Sequence, residues 1–164
     1  MFIPVTDSLC VGGVLSFGEE WTALMCAAAR ARPDYVEILV ENGADVNKVN
    51  NDIPNETALR AAVVYGDRGR FAHTREESFI SDVRAVVEFL LDRGANVNAR
   101  GWRGQTVLHR AVVWGVMEVV QLLVDRGADL QVRDRMGETP HDIAVEYSRS
   151  PETLALLVPP AVAE

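Results

Sequence analysis

Residues 106–131 read Thr106-Val-Leu-His-Arg-Ala-Val-Val-Trp-Gly-Val-Met-Glu-Val-Val-Gln-Leu-Leu-Val-Asp-Arg-Gly-Ala-Asp-Leu-Gln131, and this stretch decides the fold. A threonine opens a short apolar segment with alanine at its sixth place. A second apolar segment follows and ends in Gly127-Ala. Thr is a good helix N-cap because its hydroxyl accepts from an orphan backbone N–H, and Gly suits the left-handed residue that ends a helix. The stretch therefore predicts two short helices joined by a turn.

The same pattern recurs along the chain. Thr22-Ala-Leu-Met-Cys-Ala, Thr57-Ala-Leu-Arg-Ala-Ala and Thr139-Pro-His-Asp-Ile-Ala repeat the opening. Val36-Glu-Ile-Leu-Val-Glu-Asn-Gly-Ala-Asp-Val-Asn and Val86-Val-Glu-Phe-Leu-Leu-Asp-Arg-Gly-Ala-Asn-Val-Asn repeat the ending. Thr22 and Thr57 are 35 residues apart, Thr106 and Thr139 are 33 apart, and Gly94 and Gly127 are 33 apart. One such unit cannot bury its own apolar face, so the units must stack. Ala27, Ala62, Ala111 and Ala144 fall where a small side chain lets the next helix approach, and Leu24, Leu59 and Leu108 supply core positions.

On these residues the chain resembles the ankyrin repeat family, whose period is about 33 residues and whose signature is Thr-Pro-Leu-His-x-Ala. The resemblance implies an all-α solenoid of about four helix-turn-helix repeats with short β-hairpin-like finger loops. The repeats are expected at 20–52, 53–101, 102–134 and 135–158, after an N-terminal cap segment at 1–19 and before a tail at 159–164. Only Thr139 is followed by Pro, only Thr106 has His at the fourth place (His109), and the fourth repeat lacks a Gly-Ala ending.

Repeat two is irregular. Thr57 to Gly94 is 37 residues where Thr22 to Gly43 and Thr106 to Gly127 are 21, which marks a 16-residue insertion at 67–82. Thr74 with Glu77 forms a capping-box pattern, and Phe79, Ile80, Val83, Val86, Val87 and Leu90 keep helical spacing. The second helix of this repeat is thus expected to start early. The insertion serves either a partner, with Arg70, Phe71 and Arg75 as candidates, or no purpose beyond length, since loops tolerate length at low entropic cost. The connector before Thr57 is two residues longer than the later two, and its Pro54 is expected to interrupt hairpin pairing.

The resemblance also implies where a partner sits: on the finger tips and on the ends of the first helices, along the concave face. Eight residues past each Thr stand Arg30, Tyr65, Trp114 and Tyr147, three aromatics in a chain only 7% aromatic, and Val113 precedes Trp114. Trp102 and Arg103 occupy one tip, Arg135 and Met136 the next. Tyr, Trp and Arg dominate interface energetics. The competing reading is that the rings only pack between repeats.

Composition excludes much else. The 164 residues are 48% hydrophobic and 24% charged, an ordinary globular balance, with 24 acids against 16 bases and a net charge of −8. Nucleic acid and anionic membrane both require basic patches and are poor partners for such a chain. Residues 1–57 carry −6 of that charge, which suits steering toward a basic partner protein. Cys10 and Cys26 are too few for a disulfide framework, and Cys26 reads as a small buried hydrophobe. No stretch is long and apolar enough to span a bilayer, and the start lacks a basic leader, so a cytoplasmic protein, monomeric when free, is expected. His73, His109 and His141 lie far apart, with His109 and His141 expected to tie neighbouring loops together. No phosphate-loop, nucleophile or metal-ligand spacing is present, so no enzyme, cofactor or metal is expected. The expected function is a non-catalytic protein-binding module, an inhibitor or immunity protein against a basic target, with an adaptor bridging two proteins as the alternative.

Overall fold

A computed structural model describes residues 21–50, 55–66 and 77–158. Eight α-helices are present among them: α1 (Ala23–Ala29), α2 (Pro33–Glu41), α3 (Ala58–Gly66), α4 (Glu77–Asp92), α5 (Val107–Trp114), α6 (Met117–Asp125), α7 (Pro140–Glu146) and α8 (Pro151–Leu156). Each repeating threonine stands immediately before an odd-numbered helix. Thr22 Oγ1 accepts from the Met25 N–H at 3.1 Å, and Thr57 Oγ1 from that of Arg60 at 3.3 Å. Thr139 Oγ1 accepts from the Asp142 N–H at 3.2 Å, while Asp142 Oδ2 accepts from the Thr139 N–H at 2.9 Å, a reciprocal cap. The first three even helices end alike. Gly43, Gly94 and Gly127 adopt φ of +90°, +84° and +82°, and the alanine after each donates back to Leu39, Leu90 or Leu123. These are Schellman closures, and they explain why Gly-Ala recurs.

The helices form two layers. In the first, α1 packs on α3, α3 on α5 and α5 on α7; in the second, α2 packs on α4, α4 on α6 and α6 on α8. Each pair within a repeat also packs together, so a continuous core lies between the layers. Leu24, Leu59 and Leu108 are buried in it, as are Ala27, Ala62, Ala111 and Ala144. Small side chains at this place let the first-layer helices approach closely. The all-α solenoid expected from the sequence is the fold observed.

Helix α4 has 16 residues where α2 and α6 have nine, so the second helix of repeat two does start early. Phe79 and Ile80, in its first turns, pack against the core. The helix thus takes up the last part of the expected insertion, and Thr74 and residues 67–76 lie outside the described residues. Cys26 is buried in the core, as expected.

Side chains also stitch each repeat to the next. Asn47 donates its amide to the Gly94 carbonyl at 2.9 Å and accepts from the Asn96 N–H at 2.8 Å. One period on, Asn98 donates to the Gly127 carbonyl at 3.3 Å and accepts from the Asp129 N–H at 2.8 Å. A second seam runs beside the finger loops. His109, fully buried, accepts at Nδ1 from the Thr106 N–H at 3.1 Å, and its Nε2–H donates to the Glu138 carbonyl at 3.3 Å. Those partners assign the neutral Nε2–H tautomer. Arg60 fills the corresponding place in repeat two and donates to the Gln105 carbonyl at 2.6 Å. It also pairs with buried Glu56 at 3.3 Å. Its guanidinium needs the space at Gly101, where an added Cβ would lie 2.2 Å from Arg60 Cζ. Burial pushes the Glu56 carboxyl above its usual range despite Arg60, and its Oε1 is buried without a hydrogen-bond partner.

Candidate functional site

The finger loops are closed at their mouths by single backbone bonds. Asn50 donates to the Glu56 carbonyl at 2.8 Å, Gly101 to that of Gln105 at 2.9 Å, and Asp134 to that of Glu138 at 2.9 Å. The first loop spans two more residues than the others, as its sequence requires. It closes through an isolated bridge, Asn50–Glu56; Pro54 lies outside the described residues. In the second loop Trp102–Gly104 form one 3-10 turn, and Arg103 sits in the left-handed region at φ 58° and ψ 18°. That conformation costs a non-glycine residue roughly 1–2 kcal/mol. The turn leaves Trp102 half exposed, at 52%, with the Arg103 guanidinium 4.2 Å from its ring centroid.

The third loop is braced from within. Asp134 is buried and accepts from the Met136 N–H at 2.8 Å, the Glu138 N–H at 3.2 Å and the Gln105 amide at 3.1 Å. Burial pushes its carboxyl up, but these donors outweigh that and hold it below the usual carboxylate range. Met136 projects from the tip, 70% exposed. The two tips are joined: the Arg135 N–H donates to the Arg103 carbonyl at 2.9 Å, and Arg100 donates to that of Arg133 at 3.1 Å. Trp102, Arg103, Arg135 and Met136 therefore form one braced edge.

The helix-end candidates behave differently from one another. Tyr65 is half-buried and meets Trp21 edge-on, ring centroids 5.0 Å apart at 83°. Val113 and Trp114 are half-buried against the core. Tyr65 and Trp114 thus serve packing with one side and present the other. Tyr147, at the end of α7, is 49% exposed, with the Arg149 guanidinium 5.6 Å from its ring. Arg30 is exposed at the end of α1 and reaches the Cys26 carbonyl at 3.4 Å. Arg70, Phe71 and Arg75 lie outside the described residues. Sequence reasoning passed over Arg100, Arg133 and Arg149. The first two were legible as a pair of arginines in each of two six-residue loops. Arg149 was not: it donates to the Val112 carbonyl at 2.8 Å and to that of Val113, across 36 residues or more, capping the C-terminal end of α5.

Two family models match. One, described as ankyrin repeats (3 copies), covers residues 79–163, and a single ankyrin repeat covers residues 19–51. The chain belongs to the ankyrin repeat family. Residues 52–78, with α3 and most of the insertion, lie between the two ankyrin matches. No curated protein matches the chain. Ankyrin repeats generally mediate protein–protein interaction. Among the described residues no group of His, Cys, Asp and Glu has the makings of a metal site, and no helix is long and apolar enough to cross a membrane.

Proposed function

We propose that this ankyrin chain is a non-catalytic module that takes a partner protein along the braced finger edge and the ends of the inner helices. The observation that carries this reading is the joined tips, which hold Trp102 and Met136 out in water on a backbone that already fixes them. A site prepared in this way loses little conformational freedom on binding. Tyr147 and the outward sides of Tyr65, Trp114 and Val113 continue the surface inward, with Arg30 at its far end. The sequence reading gives the module one domain at 20–158 and a monomeric free state.

An inhibitor or immunity role against a basic target rests on the net charge of −8 and on exposed Asp34, Glu37, Glu41 and Asp45 in and after α2. The finger edge has the opposite sign, which favours the adaptor alternative: two differently charged faces suit two different partners. A cytoplasmic location belongs to the same proposal.

The test is affinity capture from native lysate with wild type, the double variant Trp102→Ala with Met136→Ala, and Glu37→Ala. A partner retained by wild type and Glu37→Ala, but lost by the tip variant at unchanged melting temperature, supports the reading. Equal capture by all three would overturn it.

A further inference from the structure

We propose that the finger edge of repeats three and four recognises an acidic, carboxylate-bearing segment of its partner protein. This deepens the function proposed above and rests on it. Arg100, Arg103, Arg133 and Arg135 are all exposed and stand within two loops whose backbones are hydrogen-bonded to each other. Among the described residues, none of Arg100, Arg103 and Arg135 has a carboxylate in salt-bridge contact. Arg133 has only Asp142, at a loose 3.8 Å. The acid inside the third loop, Asp134, is buried with its oxygens occupied by Gln105 and two backbone N–H groups. The nearby acids, Glu138, Asp142 and Glu146, lie behind the tips, at the mouth of the third loop and on α7. A net acidic molecule thus carries a local basic edge.

The chemistry narrows the occupant further. Guanidinium groups suit carboxylates, with which they form paired hydrogen bonds. Trp102 and Met136 stand exposed beside them and suit an apolar side chain between the acids. The left-handed backbone at Arg103 accords with a functional tip, since glycine would occupy that position without strain. A nucleic acid fits less well. Its phosphates would face a molecule of net charge −8 through a small number of arginines, with Glu138 and Asp142 close behind.

The experiment titrates the full chain into three fluorescein-labelled probes and reads anisotropy: a short glutamate-rich peptide with a central leucine, the same peptide with lysine for glutamate, and single-stranded oligothymidine. The glutamate peptide should bind, weaken as salt rises, and lose about tenfold in affinity with R103E/R135E. R32E, which reverses an exposed arginine at the other end of the array, should leave it unchanged. Equal loss with R32E, or tighter binding of oligothymidine, would overturn the assignment. Binding of the lysine peptide that Trp102→Ala removes would overturn it while leaving the interaction surface standing. Binding of none of the probes would overturn it too, and the lysate capture then decides separately whether the surface takes a protein at all.

Discussion

At the scale of single residues, His109 shows how one side chain closes a joint and ties it to pH. Its two nitrogens join the start of α5 to the carbonyl of Glu138 in the next loop. Burial is the main reason that its pKa lies below the ordinary 6.5, although the Glu138 carbonyl and Asp134 pull the other way. The unfolded chain therefore takes up a proton first as pH falls. The stability contributed by neutral His109 is present above about 6.5 and lost progressively below it. Denaturant unfolding between about pH 7.5 and 5.5 should show this loss, and His109→Gln should flatten the profile there. His109→Ala, leaving the Thr106 N–H without its partner and the Glu138 carbonyl with the Asp134 N–H alone, should cost about 1–3 kcal/mol at neutral pH. The position was legible from the Thr-x-x-His pattern. That Arg60 does the same work one repeat earlier was not, because a buried arginine beside a buried glutamate contradicts the burial expected of charged residues.

Among the elements, the helices were largely written in the sequence, since capping threonines open all four repeats and closing glycines end the first three. The early start of α4 was visible in the spacing of Phe79, Ile80 and Val83. The side-on packing of Tyr65 against Trp21 was hidden, because it depends on how α3 meets the residue that leads into α1 rather than on any local pattern. The same holds for Trp114. Replacing residues 68–75 by a short linker should leave cooperative unfolding intact, whereas a deletion reaching residue 81 removes Phe79 and Ile80 from the core. The longer deletion should cost more than about 2 kcal/mol beyond the shorter one, measured by urea titration.

For the whole molecule, stability is the sum of repeats and of the joints between them. Asn98 is one such joint, holding repeat two to repeat three through Gly127 and Asp129. Asn98→Ala should lower stability by about 1–2 kcal/mol and, if the joint carries coupling, split one calorimetric transition toward two. A single unshifted transition would show the helix layers alone couple the array. The Asp/Asn-rich segments read in sequence as turns only; their bridging role depends on register between repeats, which a single sequence does not display.

The asparagine seam also runs one way, each repeat reaching forward to its successor. It halts at Gln131, in the place of Asn47 and Asn98, whose side chain bridges to no following turn among the described residues, and the fourth repeat offers no Gly-Ala turn to receive one. The joint between repeats three and four therefore holds by other means: packed helix layers, His109 on the Glu138 carbonyl and Arg149 on that of Val112.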